Sequence, residues 1–166
     1  DNDRVVYNPE FLTEQNALDD FVNPPMHIFG GDKSYCKWLH TFYLDHSRCK
    51  DRTTRSYYMT PAEASFVKYG INSFLASKVL WFNQFSDICD KYNVRYNTVI
   101  NAMITDQRIG SSHVQVPGSD GRKGYGGACF PKDTNAFSKF ADGDFSLLDL
   151  VIKENNKYRS EYKLDD

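Results

Sequence analysis

The stretch Thr60–Tyr92, TPAEASFVKYGINSFLASKVLWFNQFSDICDKY, constrains the fold more than any other part of the chain. Thr60 stands at an N-cap position, Pro61 at the first helical position and Glu63 at the third, the combination that starts a helix. The apolar period then continues for some thirty residues. Phe66, Tyr69, Phe74, Val79, Phe82, Phe85 and Cys89 fall on more than one face, and a helix apolar on several faces is buried by several partners. Those partners are either other parts of one chain or a second subunit, and the pattern alone leaves both open.

Around that helix the chain changes character. RVVY (4–7), MHIF (26–29) and TRSYYM (54–59) read as short strands bounded by turn formers. DKSYCKWLHTFYLD (32–45) reads as a helix capped by Asp32. After the long helix, NTVINAMIT (97–105) is a shorter helix, and helices resume at 132–141 and 146–162. Between them, residues 106–131 hold six of the ten glycines, at 110, 118, 121, 124, 126 and 127. A loop of that length in a compact domain is functional or disordered. The expected class is α+β and mainly helical: a long central helix with others packed on it, and a small α/β portion at the N-terminus.

The net charge of −2 gives no basic excess for a nucleic-acid surface, and Lys and Arg do not cluster. No apolar run approaches the roughly 20 residues that span a bilayer. Four scattered cysteines, 36, 49, 89 and 129, read as reduced thiols of a cytoplasmic protein. The start, DNDRVVYNPEF, reads as mid-fold, with upstream residues expected.

GYGGACFPKD (124–133) puts glycines around Cys129. A helix beginning just after that cysteine, together with Lys132, would favour the nucleophilic thiolate; the alternative is a small buried hydrophobe. Lys68 and Asn72, four residues apart, share a helix face among apolar neighbours, where a lysine can stabilise an oxyanion or act as proton donor. Alternatively its stem is buried and its head is wet. Glu10 and Glu14 would share a face if their segment were helical, at a strand's C-terminal end where α/β proteins place ligands. Cys36, His40, His46 and Cys49 form C-x3-H-x5-H-x2-C, four zinc-capable groups whose spacing lacks the paired knuckle of structural zinc sites.

Five segments together resemble the nucleotide-sugar 6-dehydrogenase family, most closely its UDP-glucose branch: NPEFLTEQNALDDFVNP (8–24), EASFVKYGINSFLASKV (63–79), DQRIG (106–110), GYGGACFPKD (124–133) and LLDLVIKENNKYR (147–159). They occur in the family's order and cover nearly the whole chain. The resemblance implies oxidation of a sugar's primary alcohol to a carboxylate by two NAD in succession, with a Cys129 thiohemiacetal and then thioester holding the carbon between steps. It implies Lys68 at the oxyanion with Asn72 and an ordered water, Asp133 positioning that water or moving a proton, and Glu14 serving the hydrolytic step. Glu10, Phe11, Leu12, Thr13 and Glu14 would line the sugar site. Tyr125, Gly126 and Gly127 would close over the nucleotide-sugar, and Arg108 would reach the neighbouring subunit's site in a homodimer built on the long helix. Glu14 and Lys132 would approach the cofactor.

Three departures qualify the resemblance. SDGRK (119–123) stands where the family has a residue or so, and its Arg122 and Lys123 either contact a diphosphate or are solvated loop charges. Gln15 replaces a common glycine. The strand–G-x-G-x-x-G–helix turn of a dinucleotide fold is absent from the sequence. Residues 1–59 are therefore expected to be the last elements of an NAD-binding domain, and 60–166 a helical catalytic and dimerisation domain. Such a chain would be inactive alone.

Overall fold

A parallel β-pair and six helices account for the regular structure in the computed structural model, which describes residues 4–13, 16–49 and 54–160. The chain divides into two units, Asp1–Gly70 and Ile71–Asp166. The expected class, α+β and mainly helical, is the one observed.

In the first unit, α1 (Ala17–Val22) precedes β1 (Met26–Gly30), which α2 (Lys33–His46) connects to β2 (Arg55–Met59). The strands pair in parallel, from Met26 opposite Arg55 to Gly30 opposite Met59. Parallel neighbours need such a crossover because a tight hairpin cannot join them. Asp32 caps α2 as expected, accepting from the Ser34 backbone N–H at 2.8 Å. β1 is buried along most of its length, and Phe29 is enclosed by His27, His40, Tyr43 and Tyr58. The strand expected at 4–7 is reduced to one antiparallel bridge, Tyr7 with Gly30, closed by two 2.8 Å backbone bonds.

The long helix is α3, Pro61–Lys91. Its start is the expected capping box: the Glu63 N–H donates to Thr60 Oγ1 at 3.2 Å, and the Glu63 carboxylate accepts from the Thr60 N–H at 2.7 Å. These bonds hold the Glu63 carboxyl below its usual value. At the other end Asn93 adopts the left-handed conformation, φ 54°. Val94 N–H then bonds Cys89 O and Asn93 N–H bonds Asp90 O, the Schellman pattern that satisfies the last carbonyls.

In the second unit α3 packs in two clusters. Phe82 and Cys89 meet Tyr96 and Ile100 of α4 (Tyr96–Met103) and Val114 of the long loop. Ala76 and Leu80 meet Tyr125 and Val151, with Phe130 and Tyr158 alongside. α5 (Phe130–Ala141) starts two residues earlier than expected because Pro131 fits its first turn, and α6 (Ser146–Tyr158) ends earlier. The loop between α4 and α5 is ordered by side chains that reach its carbonyls: Lys78 donates to Ile109 O at 2.8 Å, and Tyr96 Oη to Val114 O at 2.5 Å.

Gly30 is where β1 meets the start of α3. An added Cβ would lie 2.8 Å from Ala64 Cβ and 3.0 Å from Pro61 Cα. Gly30→Ala should therefore destabilise the protein by about 1–3 kcal/mol, the usual cost of overpacking, measured by urea unfolding.

Candidate active site

α3 carries Lys68 and Asn72 one turn apart, and each is buried against a different polar partner. Lys68 shows how the sequence pattern inverts. Its apolar neighbours Phe66 and Phe74 are 54% and 68% exposed, whereas the lysine is 9% exposed. The ammonium donates to the Glu10 backbone carbonyl at 2.5 Å and to Glu10 Oε1 at 2.8 Å, and lies 5.5 Å from the centre of the Phe11 ring. This is a held cation with its head paired, rather than a wet one. Glu10's second oxygen accepts from the Leu12 N–H at 2.8 Å.

Residues 8–13 form no helix, so Glu10 reaches Lys68 from a segment without regular structure rather than from a shared helix face. Thr13, at the end of that segment, bonds Asp20 through both its N–H and its hydroxyl. Glu14 lies outside the described residues.

In the second unit, Asn72 Nδ2 donates to Asp133 Oδ2 at 2.5 Å. Asp133 is buried, and its other oxygen accepts from Lys132, whose side chain is largely exposed. The carboxylate is thus fixed by an amide on one side and an ammonium on the other. Cys129 occupies the N-cap position of α5, one helical turn before Asp133, and its carbonyl accepts the Asp133 N–H at 2.9 Å. Among the four cysteines, 36, 49 and 89 are buried and Cys129 is partly exposed.

The loop before Cys129 is held by residues that sequence reasoning missed. Tyr125 N–H donates to Asn155 Oδ1 at 2.8 Å, and Asn155 Nδ2 donates back to Tyr125 O at 3.1 Å. Gly124 N–H donates to Asn83 Oδ1 at 3.0 Å. Arg159 Nε donates to Lys123 O at 2.7 Å, and its terminal nitrogen to Gly124 O and to Asp120. The available signal was polar residues at core positions: Asn155 and Arg159 continue the buried stripe begun by Leu148 and Val151.

Of the two cations in the Ser119–Lys123 insertion, Arg122 is exposed, whereas Lys123 is only partly so and is held in ion pairs. Lys123 pairs with Asp87 at 2.5 Å and with Asp90 at 3.6 Å. Burial tends to raise the Asp87 carboxyl, but bonds from Lys123 and Tyr158 outweigh it and hold the group low. The Tyr158 hydroxyl is pushed up to about 12 by burial and by Asp87.

The remaining sequence candidates are dispersed. Arg108 is paired with Asp106 two residues away, and its side chain is 89% exposed. The Tyr125 ring lies in the core, so it braces the loop rather than lining an opening. Gly126 is partly exposed, and Gly127 is exposed with φ 78°.

The four zinc-capable residues do not gather. The Cys49 thiol donates to Phe21 O, His40 bonds Tyr58 and Ser56, and the His46 ring packs tilted against Phe42. Among the described residues no three metal-ligating side chains converge. No helix among them is long and apolar enough to cross a membrane.

A dinucleotide does not fit the strand–helix turn present here. After β1, Gly30 and Gly31 are packed against Ala64 and Val5, and the α2 N-terminus is already occupied by the Asp32 carboxylate. A pyrophosphate would meet that negative charge instead of open N–H groups.

Residues 62–157, more than half of the chain, match the model of the UDP-glucose/GDP-mannose dehydrogenase family, central domain. UDP-glucose 6-dehydrogenase YwqF of Bacillus subtilis (strain 168) is 34% identical over 160 residues, covering 94% of this chain and 34% of the relative. A UDP-glucose 6-dehydrogenase of Pseudomonas aeruginosa is 37% identical over 159 residues, covering 93% and 33% respectively. Among solved structures, a UDP-glucose dehydrogenase from the hyperthermophilic archaeon Pyrobaculum islandicum is similar with TM-score 0.77 and 33% identity, over 92% of this chain and 34% of that one. The chain spans about a third of the length of these relatives. Its long helix, its glycine–cysteine loop and its match to the central-domain model agree, and the chain belongs to the UDP-glucose/GDP-mannose dehydrogenase family.

Proposed function

We propose that this chain supplies the catalytic side chains and the dimer contact of a nucleotide-sugar 6-dehydrogenase, oxidising UDP-glucose to UDP-glucuronate. The observation that carries this reading is Cys129, the partly exposed thiol at the start of α5, with the buried Asn72–Asp133 pair on the same unit. NAD would accept the hydrides, held by parts of the protein outside these residues. Residues 1–59 would be the last elements of the NAD-binding domain, and their β1–α2–β2 crossover is material of that kind.

The side chains suit the chemistry. Attack of Cys129 Sγ on the aldehyde carbon forms a C–S bond, and the carbonyl oxygen takes up a proton, which retains the aldehyde as a thiohemiacetal. Lys68 would stabilise the alkoxide that develops on the sugar oxygen, since a positioned ammonium acts strongly where water is excluded. Asn72 and an ordered water would assist Lys68 there, and Asp133 would position that water or move a proton. Loss of a second hydride from the thiohemiacetal carbon to NAD would leave the thioester, which water cleaves with Glu14 serving that hydrolytic step. Glu10 to Thr13 would line the sugar, Gly126 and Gly127 would admit it closely, and Arg108 would enter the partner subunit's site.

The proposed dimer rests on α3. Phe74, Trp81 and Ile88 recur every seven residues and are 68%, 52% and 54% exposed. Such a heptad stripe suits a second copy of the helix.

Three outcomes follow. Iodoacetamide at neutral pH should label Cys129 much faster than Cys36 or Cys89; equal, slow labelling would favour a dimerisation module without catalysis. Trp81→Glu combined with Phe74→Glu should move the protein from dimer to monomer in sedimentation velocity, with helicity retained by circular dichroism. The 166-residue chain given UDP-glucose and NAD should show no NADH formation at 340 nm; turnover would overturn the division of labour proposed.

A further inference from the structure

The backbone just before Cys129 presents an unusual accounting. Lys123 O, Gly124 N, Gly124 O, Tyr125 N and Tyr125 O are consecutive main-chain polar groups in a segment without regular structure. All are taken up by three buried side chains. Asn83 of α3 receives Gly124 N–H, Asn155 of α6 bonds both groups of Tyr125, and Arg159 donates to the Lys123 and Gly124 carbonyls. Gly124 has φ 78°, and a Cβ there would lie 2.7 Å from Asn155 Oδ1, so the site also dictates its glycine.

The insertion completes the arrangement. Asp120 accepts from the Arg159 guanidinium at 2.6 Å, and the buried charge of Arg159 is thereby neutralised. The turn itself is closed by Gly118 N–H to Arg122 O at 2.9 Å and by Arg122 N–H to Asp120 Oδ1 at 3.1 Å. Lys123 ties its other side to Asp87, which also receives the Tyr158 hydroxyl. Downstream, the Tyr125 ring packs edge-on to Phe130, the residue next to Cys129, and its hydroxyl lies 3.5 Å from Thr134 Oγ1 of α5. The clamp therefore connects, through Tyr125, to the first turn of the helix that carries the thiol.

We infer that Arg159, Asn155 and Asp120 are positioning residues for Cys129, and that the Ser119–Lys123 insertion is the counterion-bearing half of this clamp. The clamp fixes the backbone of Lys123–Tyr125. This role rests on Cys129 being the nucleophile.

The test is site-resolved alkylation by iodoacetamide, read by mass spectrometry on the full chain, with Cys89 as the buried internal standard. Arg159→Met should lower the Cys129 rate about three- to tenfold relative to wild type, as a thiol loses its fixed place at an electropositive helix start. Arg159→Lys, which keeps a donor and the charge, should recover most of that loss. Asp120→Ala lies on the half-exposed side of the clamp, leaves the core intact, and should lower the rate in the same direction even if Arg159→Met does not fold. A Cys129 rate unchanged in Asp120→Ala and in any folded Arg159 variant, with only the melting temperature reduced, would make the clamp purely structural and overturn the inference. A wild-type Cys129 no faster than Cys89 would instead overturn the catalytic reading, and this one with it.

Discussion

An irregular stretch of backbone inside a core must have its polar groups met, and this requirement organises the second unit. Helices satisfy their own N–H and C=O groups; a loop cannot, and each buried group left unpaired costs about 1–3 kcal/mol. Lys123–Tyr125 avoids that cost because Asn83 and Asn155 stand on helix faces that periodicity would reserve for apolar residues, and Arg159 follows directly as the C-cap of α6. The loop's position is therefore specified by hydrogen-bond geometry rather than by apolar contact, and hydrogen bonds are the more directional of the two. The Tyr125 ring then adds apolar packing to a backbone already fixed.

The same logic recurs in both units. Lys68 lies against Glu10, and Asp133 against Asn72 and Lys132. Removing one member of such a pair leaves a buried group without compensation, so the loss exceeds what the pair contributes when intact. Polar residues on buried faces thus hold their partners to a single arrangement, which is what a reacting site requires.

The sequence was legible where a local rule acts alone. The Thr60–Glu63 box, the Asp32 cap, the parallel-strand segments and the helix after Pro131 all follow from residues within four positions of one another. The N-terminal RVVY segment was misread as a strand because strand character depends on a neighbour, and only Tyr7 has one. The helical condition set on Glu10 is not met, and it reaches Lys68 across 58 residues of sequence from a segment without regular structure. The clamp was invisible for the same reason: Asn155 and Arg159 were read as part of a family-like segment, while their partners lie 30 to 39 positions away. The Lys123–Asp87 pair was not legible because no spacing rule links residues 36 positions apart.

Among the described residues, the charged groups of the proposed site are paired, so a nucleotide-sugar would have to exchange partners with them. The pairs differ in how readily they yield. Arg108 and Asp106 are exposed, and pairs of that kind contribute little, so release of the guanidinium would cost little. Glu10 is half exposed, so its carboxylate would return to water if a sugar hydroxyl took its place beside Lys68. Asp133 has no such route, because both of its oxygens are engaged and the residue is buried. This order separates the groups that would adapt to substrate from those that would define the reaction geometry. The Asp133 framework and the clamp on Lys123–Tyr125 would stay fixed, and Glu10 and Arg108 would do the accommodating.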